Sequence, residues 1–189
     1  MKRIENKPTV VLYLVSCLLL IVNISLIYQN LSLRSEIERN APPLPREGDL
    51  LTAFHAKDLD GNDAKIDFRD GKRKTVLLFF KSTCSFCKEQ MRYWDRLIAT
   101  ADREKFSIAA VTTESNSQAV KDYLESYGAI EWRVLRIKSE DAQIAKFSQT
   151  PITIVIDNEG KIEKSWPGRW QNKIVDIAGK YFSVDFSGL

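Results

Sequence analysis

Thr75 to Phe80, TVLLFF, is a continuous apolar run that ends four residues before a cysteine pair, Cys84-Ser85-Phe86-Cys87. A strand with no polar alternation must be covered on both faces, which only a sheet sandwiched between other elements provides. From Lys88 to Ala101 the apolar residues Met91, Trp94, Leu97, Ile98 and Ala101 recur at helical spacing, so a helix starts close to Ser85. The run therefore predicts a central strand that hands over directly to an amphipathic helix, with the cysteines at the junction.

The same alternation continues along the chain. FSIAAVT (106–112) reads as a strand, Gln118 to Tyr127 as a helix closed by Gly128, WRVLRI as a strand and Glu140 to Phe147 as a short helix. Ile152 to Ile156, the turn Asp157 to Gly160 and KIEKSW form a terminal hairpin, and Trp170 to Phe182 makes the last helix. Upstream, AFHAKDLDGNDAKIDF alternates around Asp60-Gly61-Asn62 and reads as an added N-terminal hairpin. Strands alternating with helices and ending in a hairpin imply an α/β domain with a mixed sheet flanked by helices.

Thr9 to Tyr28 is a 20-residue run without a charge, long enough as a helix for a hydrocarbon core of about 30 Å. Lys2, Arg3 and Lys7 precede it against Glu5 alone, so the positive-inside bias puts residues 1–8 in the cytoplasm and residues 30–189 outside. The chain is then a single-pass protein of a bacterial cytoplasmic membrane, with 9–28 as a transmembrane signal anchor and a periplasmic domain. A cleaved signal peptide is the rival, but no small-residue cleavage pattern follows Ser25. Leu14 to Cys17 resembles a lipoprotein box, yet the apolar run continues past Cys17, which reads as a small hydrophobe inside the span. Residues 29–48 hold three of the six prolines and read as a semi-extended tether, leaving 49–189 as the domain. The first 40 residues carry five of 28 basic and three of 25 acidic side chains, so the rest has a net charge near zero and no electrostatic footprint for nucleic acid.

A cysteine at a helix N-terminus faces unpaired N–H groups, which favour thiolate, and Lys81 and Lys88 add positive charge. Cys84 is thus the expected exposed, low-pKa nucleophile, and Cys87, one turn further in, is placed to resolve a mixed disulfide. Two bland readings compete. Structural zinc needs three or four ligands, and beyond the pair the domain offers only His55, most simply a partly exposed strand residue, and carboxylates. Inert core cysteines fit poorly with an oxidising compartment, where such a pair forms a disulfide.

FHAKDLDGNDAKIDFRDGKRKTVLLFFKSTCSFCKEQM and TPITIVIDNEGKI resemble the membrane-anchored TlpA/ResA-type thiol-disulfide oxidoreductases of the redoxin group, and the likeness covers residues 48–183. The resemblance implies a thioredoxin-like fold and dithiol–disulfide exchange with protein substrates through a redox-active Cys84–Cys87 disulfide, with no bound cofactor and no metal. It implies a cis Pro151 facing the sulfurs, with Thr150 presenting backbone groups to an incoming peptide; a strand-opening trans proline is the alternative. Phe86 and Thr83 join Thr150 as substrate-contacting positions. Possible partners are apocytochrome c or another metalloprotein under assembly, together with an upstream membrane electron donor or acceptor; a MauD-like factor also shares T-C-x-x-C.

The chain departs from the family pattern at several points. Thr83 replaces a common tryptophan, Ser85-Phe86 a pair that often contains proline, Gln90 a glutamate near the sulfurs, and Leu78 the buried aspartate of thioredoxin. Glu89 and Glu114 are the remaining candidates for proton transfer. Two other functions use related sequences. A peroxiredoxin-type peroxidase carries a proline upstream of its reactive cysteine that KSTC lacks, and an SCO-like copper assembly factor needs a distal histidine, whereas no histidine follows His55.

Overall fold

A computed structural model describes residues 7–40, 43–68, 72–129 and 132–189. Lys2, Arg3 and Glu5, on which the charge-bias reading partly rests, lie outside the described residues. The chain divides into two units, Met1–Pro42 and Pro43–Leu189.

The first unit is helix α1, Lys7–Asn40. Its stretch Thr9–Glu36 is long and apolar enough to cross a membrane, and none of it is buried within the protein. The helix does not stop at Tyr28. Residues 30–40, expected to be extended, are helical, because the prolines of the stretch stand at 42, 43 and 45 and nothing before them breaks the helix. The other end of the expected tether belongs to the second unit. Ser148 Oγ donates to the Pro43 carbonyl at 3.0 Å, and Ser165 Oγ to that of Pro45 at 2.6 Å.

The second unit is one seven-stranded sheet, β1 Phe54–Lys57, β2 Asp63–Ile66, β3 Lys74–Phe79, β4 Phe106–Thr112, β5 Val134–Arg136, β6 Ile152–Ile156 and β7 Ile162–Pro167. Their spatial order is β2-β1-β5-β4-β3-β6-β7. β3, β4 and β5 run parallel, while β6, β7 and the β1–β2 hairpin pair antiparallel, so the sheet is mixed as the alternation predicts. Helices α2 Ser85–Thr100, α3 Ser117–Glu125, α4 Ser139–Ile144 and α5 Lys173–Phe182 flank it.

β3 shows why its sequence has no polar alternation. Val76, Leu78 and Phe80 enter one core with Cys87, Met91 and Trp94 of α2, Val120 and Leu124 of α3, and Phe182 of α5. Leu77 and Phe79 enter a second core on the opposite face, with Phe54 and Ile66 of the hairpin and Ala142 and Phe147 around α4. Thr153, the one polar residue of β6, is buried because its Oγ1 accepts the indole N–H of Trp94 at 2.9 Å, which fixes α2 against β6.

In the second unit α3 spans Ser117–Glu125, ending two residues before the expected Tyr127, and two helices differ by three residues at one end. α4 ends at Ile144 rather than Phe147 because Lys146 takes a left-handed backbone, φ 59°, and the Phe147 N–H turns back to the Ala142 carbonyl at 2.7 Å. α5 starts at Lys173 rather than Trp170. Residues 168–172 form a loop in which the Gly168 N–H donates to the Pro151 carbonyl at 2.7 Å and the Trp170 N–H to Gln90 Oε1 at 2.7 Å. Gly160 closes the β6–β7 turn at φ +88°, where an added Cβ would meet the Leu51 carbonyl oxygen at 2.7 Å, so glycine lets residues 48–51 lie against this turn.

Candidate functional site: a dithiol at a helix N-terminus

β3 delivers the chain at Phe80 to a short loop, Lys81 to Thr83, which turns it into α2. Cys84 is the N-cap of that helix, with an extended backbone, φ −87° and ψ 113°. Its Sγ accepts the Cys87 N–H at 3.2 Å, the role a serine or aspartate oxygen usually fills at this position. The Cys84 thiol in turn donates to the Thr150 carbonyl at 3.5 Å. That contact brings together groups 66 residues apart in the chain, and the Thr150–Pro151 peptide is cis.

Cys84 is half-buried, whereas Cys87 is fully buried, with 0% exposure. Burial pushes the Cys87 thiol up to about 12 from an ordinary 9.0, and its neighbour Cys84 adds to the rise. Cys84 is therefore the more accessible of the two sulfurs, and it has the Cys87 N–H directed at it. Cys87 is a shielded thiol one turn behind it.

The loop before Cys84 is tied down by Glu114. Its Oε2 accepts the Ser82 N–H at 2.7 Å, its Oε1 accepts the Ser82 hydroxyl at 2.6 Å, and the Thr112 hydroxyl donates to Oε2 at 3.3 Å. Glu114, expected as a proton carrier, is thus engaged as a brace that holds the Lys81–Thr83 turn against the end of β4. Glu89 forms an ion pair with Arg169, whose guanidinium lies over the Phe86 ring at 6.0 Å from its centroid. Phe86, between the two cysteines in sequence, is 57% exposed, and Thr83 is exposed beside Cys84.

Several site features escape a linear reading. Gln90 is fully buried and holds the loop that carries Arg169 and Trp170. Arg169 joins that loop to α2. Tyr123 of α3 stacks on Phe80 at 6.0 Å and 18°, behind the dithiol. Its place on the helical spacing of Val120, Tyr123 and Leu124 reads as core alone, and no local signal in the sequence marks its hydroxyl. Among the described residues no three His, Cys, Asp or Glu side chains are grouped so as to hold a metal ion, and His55 is exposed on β1.

A mixed sheet with helices on both faces, and a C-x-x-C dithiol where its central strand becomes a helix, defines a thioredoxin-like thiol-disulfide oxidoreductase. The fold superposes on a solved thiol:disulfide interchange protein from a Bacteroides species with a TM-score of 0.59 and 20% identity, over 76% of this chain and 95% of that one. The sequence is 29% identical over 123 residues to a thioredoxin-like protein of Haemophilus influenzae, covering 65% of this chain and 69% of that protein. It is 28% identical over 117 residues to the thiol-disulfide oxidoreductase ResA of Bacillus subtilis, covering 61% of this chain and 65% of ResA. The redoxin family pattern matches residues 46–173. The chain belongs to the redoxin family.

Proposed function

We propose that this redoxin is a membrane-anchored, extracytoplasmic enzyme that exchanges dithiols and disulfides with protein substrates. The observation that carries the reading is the sulfur geometry: Cys84 Sγ is 3.5 Å from the Thr150 carbonyl, while Cys87 is buried one turn behind it. An accessible sulfur attacks a partner disulfide, and a shielded sulfur at intramolecular distance releases the partner. The two electrons travel as a thiol pair that becomes a disulfide, so the reaction calls for no bound cofactor. An incoming peptide would lie along Thr150 with its backbone paired to that edge, over Pro151 and the exposed Phe86. The partners we propose are protein thiols and disulfides, among them apocytochrome c or another metalloprotein under assembly, with a membrane electron donor or acceptor upstream.

Changing Cys87 to Ala tests this. It removes the resolving thiol and leaves Cys84 at its helix end, so partners accumulate as reducible adducts in cells, and the further change Cys84→Ala abolishes them. If Cys87→Ala cells show no adduct above the level of the double cysteine variant, protein dithiol exchange is the wrong function. A peroxidase would then fit better, because a small peroxide leaves no protein on Cys84. Topology has its own test: protease added to intact spheroplasts removes the domain, and its protection would contradict the outward orientation.

A further inference from the structure

Most polar side chains around the dithiol are engaged; the buried side-chain donors without a partner among the described residues are Gln90 Nε2, Trp170 Nε1 and the Tyr123 hydroxyl, and of these only the Tyr123 hydroxyl belongs to α3. Glu114 is held by Ser82 and Thr112, Glu89 by Arg169, and Gln90 Oε1 by the Trp170 N–H. The Tyr123 hydroxyl, on a residue only 9% exposed, is buried with no hydrogen-bond partner among the described residues. Tyr123 shares a core with Cys87, its ring is stacked on Phe80, and the next residue, Lys81, faces Cys87 with its backbone. A buried hydroxyl without an acceptor is destabilising, and phenylalanine would fill the same volume without that cost.

The geometry points to Tyr123 as a positioning residue for the resolving thiol, its hydroxyl being the donor that meets the Cys87 sulfur when that sulfur becomes a thiolate. A neutral thiol is a weak acceptor, which leaves the hydroxyl unused in the dithiol state, whereas a thiolate is a strong one. The inference rests on the dithiol-exchange reading. In the step concerned, Cys87 gives up its proton and its sulfur attacks Cys84 Sγ. The Cys84–partner bond breaks as the Cys84–Cys87 bond forms, and the departing partner thiolate takes up the proton. The pair is oxidised and the partner reduced. Tyr123 stays protonated throughout. Burial, followed by charge on Cys87, Tyr127, Cys84 and Glu114, the titratable groups that face it, raises its phenol well above the ordinary 10.0.

The test uses the reduced full chain in neutral detergent, with Cys17→Ala to leave one thiol pair, mixed with one equivalent of an aromatic disulfide whose thiol absorbs when released. Attack by Cys84 releases the first equivalent of chromophore, and resolution by Cys87 the second. Tyr123→Phe is expected to keep the first phase and the thermal stability, to slow the second phase about tenfold or more, and to move its pH dependence upward, as losing a hydrogen bond to a charged group implies. Fluorotyrosine at the same position, a stronger donor, shifts the second phase in the opposite direction, and it decides the matter if Tyr123→Phe fails to fold. A second phase with unchanged rate and pH dependence in Tyr123→Phe, or no opposite shift with fluorotyrosine, overturns the role of Tyr123. Absence of the first phase in the otherwise unmodified protein overturns dithiol exchange itself.

Discussion

Thr153→Val isolates the bond that sets α2 against the strand following Pro151. The Trp94 indole N–H donates to Thr153 Oγ1 at 2.9 Å, and both side chains are buried. Valine keeps the shape and replaces the hydroxyl with a methyl group, so the N–H loses its acceptor where water cannot replace it. An orphaned buried donor costs about 1–3 kcal/mol, and the extra buried methyl offsets about 0.8 kcal/mol of that. The net loss is about 0.2–2.2 kcal/mol, centred near 1 kcal/mol, which for a domain of this size lowers Tm by roughly 2–4 °C per kcal/mol lost. Urea and thermal unfolding of the full chain in neutral detergent, followed by circular dichroism, measures it. Trp94→Phe and the double variant complete a cycle whose expected coupling is about 1 kcal/mol. Coupling within about 0.3 kcal/mol of zero would show that the bond does not hold the helix to the strand.

Two further outcomes follow from the sulfur environments. At neutral pH an alkylating agent modifies Cys84 in the reduced Cys17→Ala chain well before Cys87, as mass spectrometry of the labelled peptide reads directly; labelling of Cys87 first would reverse the two roles. The folded Cys87 thiol holds its proton up to about 12 against an ordinary 9.0 when unfolded, so the stability it contributes is full below about pH 9 and is lost as pH rises through about 12. The disulfide form lacks that group. The reduced form should therefore lose stability relative to the oxidised one across this range, and equal slopes for the two forms would contradict a buried Cys87.

The parts of the fold legible in the sequence are those whose cause is local. TVLLFF is apolar throughout because Val76, Leu78 and Phe80 face one core and Leu77 and Phe79 the other. The cysteine pair is legible because a strand, a turn and an amphipathic helix lie contiguously around it. What escapes depends on partners remote in sequence. Trp170 falls on the apolar period of the last helix, but its N–H is claimed by Gln90, 80 residues away, and the segment becomes a loop. Glu114 reads as a proton-transfer candidate at a strand end, and its two bonds to Ser82 exist only once β3 and β4 are paired. Gln90 reads as a substituted glutamate beside the sulfurs, whereas its oxygen is turned to the Trp170 backbone. The helical residues after Tyr28 show a different failure, in which the presence of prolines in the stretch outweighs their position at its far end.

In the proposed exchange Cys84 and Cys87 form one two-electron couple. Equilibrating the full-length Cys17→Ala chain with glutathione mixtures of graded poise, followed by mass analysis of the acid-quenched protein, tests it most directly. The expected result is a single transition in which the chain loses two hydrogens, with the new bond located between Cys84 and Cys87, and with its midpoint giving the direction of exchange against a given partner. A chain that keeps both thiols across the series, or ends with glutathione on each sulfur and no internal bridge, would contradict the account.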